Sequence, residues 1–190
     1  MTAENSTVLG IDPGLDRTGW AVVRRGQSGA LSLVACGLIH TAAGQDLPKR
    51  LDYIYQQMHK ILAEYRPAQV AMEQNFFLKR AITMANTVMT RGVIILACEQ
   101  AGKPIFFYPP KRVKMILCGT GAADKKQVQR MVQLTLNLDK KPEPDDVADA
   151  VAIAICHQKT APLNQKLSIQ AAFLEKIKAA KAAQLKKFGK

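Results

Sequence analysis

The chain has 190 residues, enough for one domain whose core folds alone, and its 27 Lys and Arg against 15 Asp and Glu give a net charge of +12. A chain this basic often meets nucleic acid, and sometimes an acidic membrane surface. No apolar run reaches membrane-spanning length, and Met1 to Thr7 lacks the basic and apolar regions of a signal peptide, so neither a membrane nor an export role is expected.

Val8 to Asp12 reads as a short strand that ends on an acid and runs straight into the turn signal Pro13-Gly14. Alternation puts Val8, Gly10 and Asp12 on one face and Leu9 and Ile11 on the other. Gly19 to Arg25 and Leu31 to Ile39 read as two more strands, joined through Gly26-Gln27-Ser28-Gly29 in an antiparallel opening. Leu51, Ile54, Met58, Ile61 and Leu62 recur at helical spacing, which predicts an amphipathic helix from Pro48 to Tyr65. Gln69 to Glu73 is a fourth strand, again ending on an acid. A long helix follows from Ala81 to Ala101, then a fifth strand from Pro104 to Tyr108.

Pro109-Pro110 opens a short basic helix, Lys111 to Leu117, and Asp124 to Leu136 is a further helix with Val128, Met131, Val132 and Leu136 on its apolar side. The prolines at 142 and 144 prepare a clean helix start, with Asp145 as the expected N-cap. From Asp149 to His157 this helix has no polar face and must be buried on nearly all sides. Asp146 and Asp149, at i and i+3, project from one side of its first turn. The element order suggests an α/β domain, a mixed sheet with three antiparallel strands, parallel additions, and helices on both faces.

A boundary at Pro162 separates a body of residues 1–158 from a basic tail of residues 159–190. Before Lys159 there are 19 basic and 14 acidic residues; from there on there are 8 and 1, so the two parts carry +5 and +7. The tail reads either as a loose DNA-binding arm or as a lysine-rich helix packed on the body through Leu174, Ile177, Leu185 and Phe188. Cys36, Cys98, Cys118 and Cys156 are widely separated with no zinc spacing, as expected of reduced thiols in a cytoplasmic protein.

Asp12 and Glu73 at strand ends and Asp146 and Asp149 at a helix start stand where open α/β sheets place their chemistry. Were the first and fourth strands neighbours, all four carboxylates would meet. Such a cluster repels itself, and hard divalent cations relieve it; oxygen donors of this kind suit Mg²⁺, or Mn²⁺, over zinc. On a basic protein an acidic hole points to phosphodiester hydrolysis, with two ions roughly 3.5–4 Å apart.

These residues resemble the RuvC family of Holliday-junction resolvases, in the ribonuclease-H-like superfamily. The resemblance rests on Leu9-Gly10-Ile11-Asp12-Pro13-Gly14 with Thr18-Gly19, on Met72-Glu73-Gln74 with Phe76, on Gly119 to Gln129, and on Asp146 to His157. It implies a ribonuclease-H-like fold for residues 1–158. It further implies Asp12, Glu73, Asp146 and Asp149 as catalytic ligands of two Mg²⁺ ions, and a homodimer paired through the helix after Glu73. The activity implied is symmetric nicking of four-way junction DNA in recombination and repair, with the branch-migration proteins RuvA and RuvB as partners. Lys114 and Lys125 match basic positions directed at the scissile phosphate, and Phe76 an aromatic that stacks on an unpaired base. Asp145 is an extra acid beside the expected pair.

Blander readings accompany several residues. Lys111, Arg112 and Lys114, with Lys125, Lys126 and Arg130, form either a solvated face or a DNA phosphate track. Asp16 reads as a solvated loop acid, and His157 as a helix-end residue that is solvated or complements the dipole. Asp12-Pro13-Gly14 alone also resembles the phosphate loop of sugar kinases and actin-like ATPases, but this chain is short for their two domains.

Overall fold

A computed structural model describes residues 7–74 and 81–161. The chain divides into two units, Met1–Gln158 and Lys159–Lys190, and the account below concerns the first. Phe76 and the tail from residue 162 lie outside the described residues.

Five strands form one sheet in the order β3-β2-β1-β4-β5. β1 (Thr7–Asp12) pairs antiparallel with β2 (Arg17–Arg25), which pairs antiparallel with β3 (Leu31–His40). The β2–β3 turn closes with Gly26 N–H donating to the Ala30 carbonyl at 2.8 Å, and Gly29 takes a left-handed φ of 84° there. β4 (Gln69–Glu73) joins β1 in parallel, and β5 (Ile105–Tyr108) joins β4 in parallel. The antiparallel-then-parallel pattern expected from the element order is therefore the one observed.

Alternation divides the core between the two faces of the sheet. Leu9, Ile11, Val22, Val70 and Met72 pack with Ile54, Met58, Ile61 and Leu62 of α1 (Leu47–Tyr65) and with Ile94, Ala97 and Cys98 of α2 (Ala81–Gln100). Val8, Ala21, Val23, Ala71 and Tyr108 pack on the other face against α3 (Pro110–Cys118), α4 (Lys125–Thr135) and α5 (145–161). α4 starts with a capping box: Asp124 accepts from Gln127 N–H, and the Gln127 side chain accepts from Asp124 N–H, both at 2.8 Å. Residues 150–158 of α5 are all buried, as their lack of a polar face requires. Among the described residues no helix is long and apolar enough to cross a membrane.

Two expectations about α5 need correcting. Asp145 is its first residue and not its cap, because the Pro144 carbonyl already accepts the helical bond from Ala148 N–H at 3.3 Å. His157 is neither solvated nor at the helix end, since α5 continues to residue 161 and the ring is 1% exposed. Its Nδ1 lies 2.8 Å from the Tyr108 hydroxyl of β5 and its Nε2 lies 2.7 Å from Gln69 Oε1 of β4. A neutral ring protonated on Nε2 satisfies both partners, accepting from the tyrosine and donating to the glutamine.

Burial pushes the His157 pKa down to about 4 from 6.5. Between those values the unfolded chain binds the extra proton, so the fold's stability is whole above pH 6.5 and declines as pH falls toward 4. The loss implied by that shift is about 3 kcal/mol. Denaturant titrations of wild type and His157→Gln across this range should show an additional pH slope in the wild type. Parallel curves would mean that His157 titrates alike in both states.

Candidate active site

The site forms where β1 and β4 end beneath the start of α5. Register pairs Ile11 with Met72, so Asp12 and Glu73 follow side by side, on the face that carries Gly10 and Ala71. α5 lies almost on the strands. A Cβ on Gly10 would come within 2.1 Å of the Ala150 carbonyl oxygen, and one on Gly19 within 2.0 Å of the Asp146 carbonyl oxygen. Gly19 is itself the β2 partner of Asp12. Two glycines thus admit the backbone of α5 and deliver the Asp146 and Asp149 side chains to the end of β1.

The electrostatics record that convergence. Asp12 is raised from 3.8 to about 8, first by burial, then by the charge and hydrogen bond of Glu73, then by Asp149 and Asp146. Asp149 is raised by burial, with Lys125 opposing the shift. Asp12 therefore feels all three of the other predicted acids. Among the described residues, however, no group of three His, Cys, Asp or Glu side chains is drawn tightly enough to hold a metal ion without side-chain adjustment. Cations of the chain engage the α5 acids. Arg17 Nη2 lies 2.5 Å from Asp146 Oδ2, and Lys125 Nζ lies 3.5 Å from Asp149 Oδ2 and 3.1 Å from Asp145 Oδ2. Burial works against the Lys125 charge, but hydrogen bonding to Asp145 and the charges of Asp149 and Asp145 outweigh it and raise its pKa.

Lys114 and Lys125 line a cleft of about 210 Å³ together with Glu73 and Asp149, over an apolar floor that includes Val113, Val128 and Ile153. The remaining predicted basic residues stand elsewhere. Lys111 and Arg112 are exposed on α3, with the Arg112 guanidinium 5.5 Å from the centre of the Tyr108 ring. Lys126 lines a separate groove of about 540 Å³ with Arg130 and Lys141.

Sequence reasoning missed two residues beside the site, Arg17 and Arg91, and a third, Arg50, that ties down the loop after β1. Arg17 shares a face with Gly19, two residues on, so alternation could have placed its side chain over the start of α5. Arg91 of α2 is held below the ordinary arginine value by burial, with the charge of Glu73 acting the other way. Arg50, buried on α1, pairs with Asp16 and donates from Nε to Thr41 Oγ1 at 2.8 Å. Asp16 is the solvated loop acid expected, its side chain 70% exposed, and it also pairs with Arg50, a partner 34 positions away that no local pattern marks.

The sheet order, the acids at the ends of two adjacent strands and the last described helix across them make this a ribonuclease-H-like fold. Residues 8–157 match the family described as crossover junction endodeoxyribonuclease RuvC. A relative of that name from Roseiflexus sp. (strain RS-1) is 44% identical over 167 residues, covering 88% of this chain and 98% of the relative. The Thermus thermophilus RuvC structure superposes with a TM-score of 0.78 at 32% identity, covering 83% of this chain and 96% of that one. A structure of T. thermophilus RuvC in complex with Holliday junction substrate gives 0.76 at 29% identity, with the same coverage of both chains. The chain belongs to the RuvC family.

The glycine contacts can be tested directly. Gly19→Ala must push backbone against backbone, and its expected destabilisation is about 1–3 kcal/mol or more. Gly44, where an added Cβ would meet nothing within 4 Å, serves as the control. Thermal melting should show a clear loss for Gly19→Ala and little change for Gly44→Ala; a Gly19→Ala protein as stable as wild type would mean that α5 does not need this approach.

Proposed function

We propose that this protein is a structure-selective endonuclease that resolves four-way DNA junctions by divalent-metal-dependent phosphodiester hydrolysis. The observation that carries the reading is the convergence of four carboxylates, felt most strongly at Asp12, in a protein of net charge +12. The likeness to a RuvC bound to Holliday junction substrate supports the choice of DNA.

In this reading Asp12, Glu73, Asp146 and Asp149 hold Mg²⁺, with Mn²⁺ as a substitute. Their oxygen donors suit a hard cation, and the repulsion that raises Asp12 is the repulsion a cation relieves. Bound metal would supply Lewis acidity and an activated water. The chain's own part is to orient that chemistry. Asp146 and Asp149, now paired with Arg17 and Lys125, would turn their carboxylates to the metal. Arg17, Lys125 and Lys114 across the cleft would offer positive charge to the scissile phosphate and its leaving oxygen. Phe76 would stack on an unpaired base, and Lys111, Arg112 and Lys126 would hold DNA phosphates.

Two strands cut symmetrically require two sites related by a two-fold axis. The α2 helix has a face suited to pairing copies, since Val88, Met89, Ile95 and Leu96 are all exposed on it. A homodimer through α2 follows. Family membership suggests RuvA and RuvB as partners and the cytoplasm as the place of action, and the tail from residue 159 is read as a basic arm for DNA.

The test is a synthetic mobile four-way junction beside a matched linear duplex, each with Mg²⁺ or with EDTA. Paired nicks in the junction alone, and only with Mg²⁺, are expected. Asp12→Asn, Glu73→Gln, Asp146→Asn and Asp149→Asn should each slow cleavage by roughly a thousandfold or more while junction binding persists or tightens. Near-normal turnover in any variant would remove that residue from the site, and equal cutting of the duplex would defeat junction selectivity.

A further inference from the structure

Asp145 stands one residue before the Asp146 of the carboxylate cluster, yet its partners lie on α4. Gln129 Nε2 donates to its Oδ1 at 2.7 Å, and Lys125 Nζ lies 3.1 Å from its Oδ2. Each carboxylate oxygen thus has its own partner. Lys125 and Gln129 are four residues apart on one helix, and Asp145 and Asp149 four apart on the next, so two matched faces meet. Lys125 opposes Asp149 at 3.5 Å while Gln129 opposes Asp145. Gln129 is buried, at 7% exposure, which fixes the far end of this chain of contacts. The hydrogen bonds of Lys125 and Gln129 also hold the Asp145 carboxyl below its ordinary pKa.

Lys125 needs such a tether. It is the first residue of α4, where the helix dipole disfavours a cation. Its side chain is half exposed and has four rotatable bonds, so without partners its ammonium would sample many positions. An exposed ion pair contributes little to stability. What this pair can do is restrict where Nζ lies, at the mouth of the cleft lined by Glu73, Lys114 and Asp149.

We infer that Asp145 is a positioning residue for Lys125, anchored by Gln129, and that it acts on cleavage only through the placement of that ammonium. The inference rests on the reading that Lys125 meets the scissile phosphate. It gives Asp145 a role distinct from metal ligation, although it adjoins the cluster in sequence.

The experiment is single-turnover cleavage of the four-way junction at fixed Mg²⁺, with junction affinity and melting temperature measured in parallel. It compares wild type, Asp145→Ala, Lys125→Ala and the double variant. Asp145→Ala should slow cleavage on the order of tenfold, the usual size of an outer-shell loss, with junction affinity and melting temperature held near wild type. Lys125→Ala should be slower still, and the double variant no slower than Lys125→Ala, because the two residues act as one unit. Losses that multiply in the double variant would overturn the inference, as would a wild-type rate in Asp145→Ala beside a defective Lys125→Ala. A wild-type rate in Lys125→Ala would overturn the underlying reading of Lys125 and this inference with it. Should Asp145→Ala raise the Mg²⁺ concentration needed for half-maximal cleavage, Asp145 would be a metal ligand and the positioning role would fall.

Discussion

Everything at the acidic end of the sheet depends on how closely α5 lies on β1 and β2. Helices normally stand off a sheet by the depth of two side-chain layers. Here Gly10 and Gly19 remove one of those layers where Ala150, Ala154 and the Asp146 backbone pass. Short side chains on the helix complete the approach. The same contact that buries residues 150–158 brings the first turn of α5 down to the end of β1. Were either glycine to carry a side chain, Asp146 and Asp149 would be lifted away from Asp12 and Glu73, and the four acids would no longer share a charge environment.

That environment is unfavourable by itself. Burial and three neighbouring carboxylates hold Asp12 near 8, so the fold carries an electrostatic cost at this point. Several features offset it. The acids of α5 sit at a helix N-terminus, where the dipole favours negative charge. Arg17 and Lys125 neutralise parts of Asp146 and Asp149. The outer residues of the protein add a positive field that also suits a polyanion. These contacts offset the cost only in part, since Asp12 stays raised even with Arg17 and Lys125 in place.

Most of the fold was legible because its signals are local. Strand ends fell at Asp12 and Glu73, and helix spacing marked α1 and α4; the parallel pairing of β1 with β4, which the sequence posed only as a condition, is present in the sheet. The roles that went unread are those fixed by a partner far along the chain. Asp145 looks like an N-cap from its neighbours alone, and only the packing of α4 on α5 turns its side chain toward Gln129 and Lys125. His157 looks like a helix end until β4 and β5 close over it with Gln69 and Tyr108. Asp16 finds Arg50 across the loop, the end of β3 and the start of α1. Phe76, legible as a candidate through the family resemblance, lies outside the described residues.

The two faces of the sheet divide the work in a way that explains these differences. On the α1 and α2 face, large aliphatic residues interlock, and the exposed apolar residues of α2 remain for another surface. Periodicity reads such a face well, because each side chain needs only to be apolar and of the right size. On the α3, α4 and α5 face the core must also aim charged groups, so its geometry is set by close backbone approach and by polar pairs between helices. A methyl group at Gly19 or a lost carboxylate at Asp145 is a small change in composition. Each alters where a charge stands, and hydropathy cannot register that.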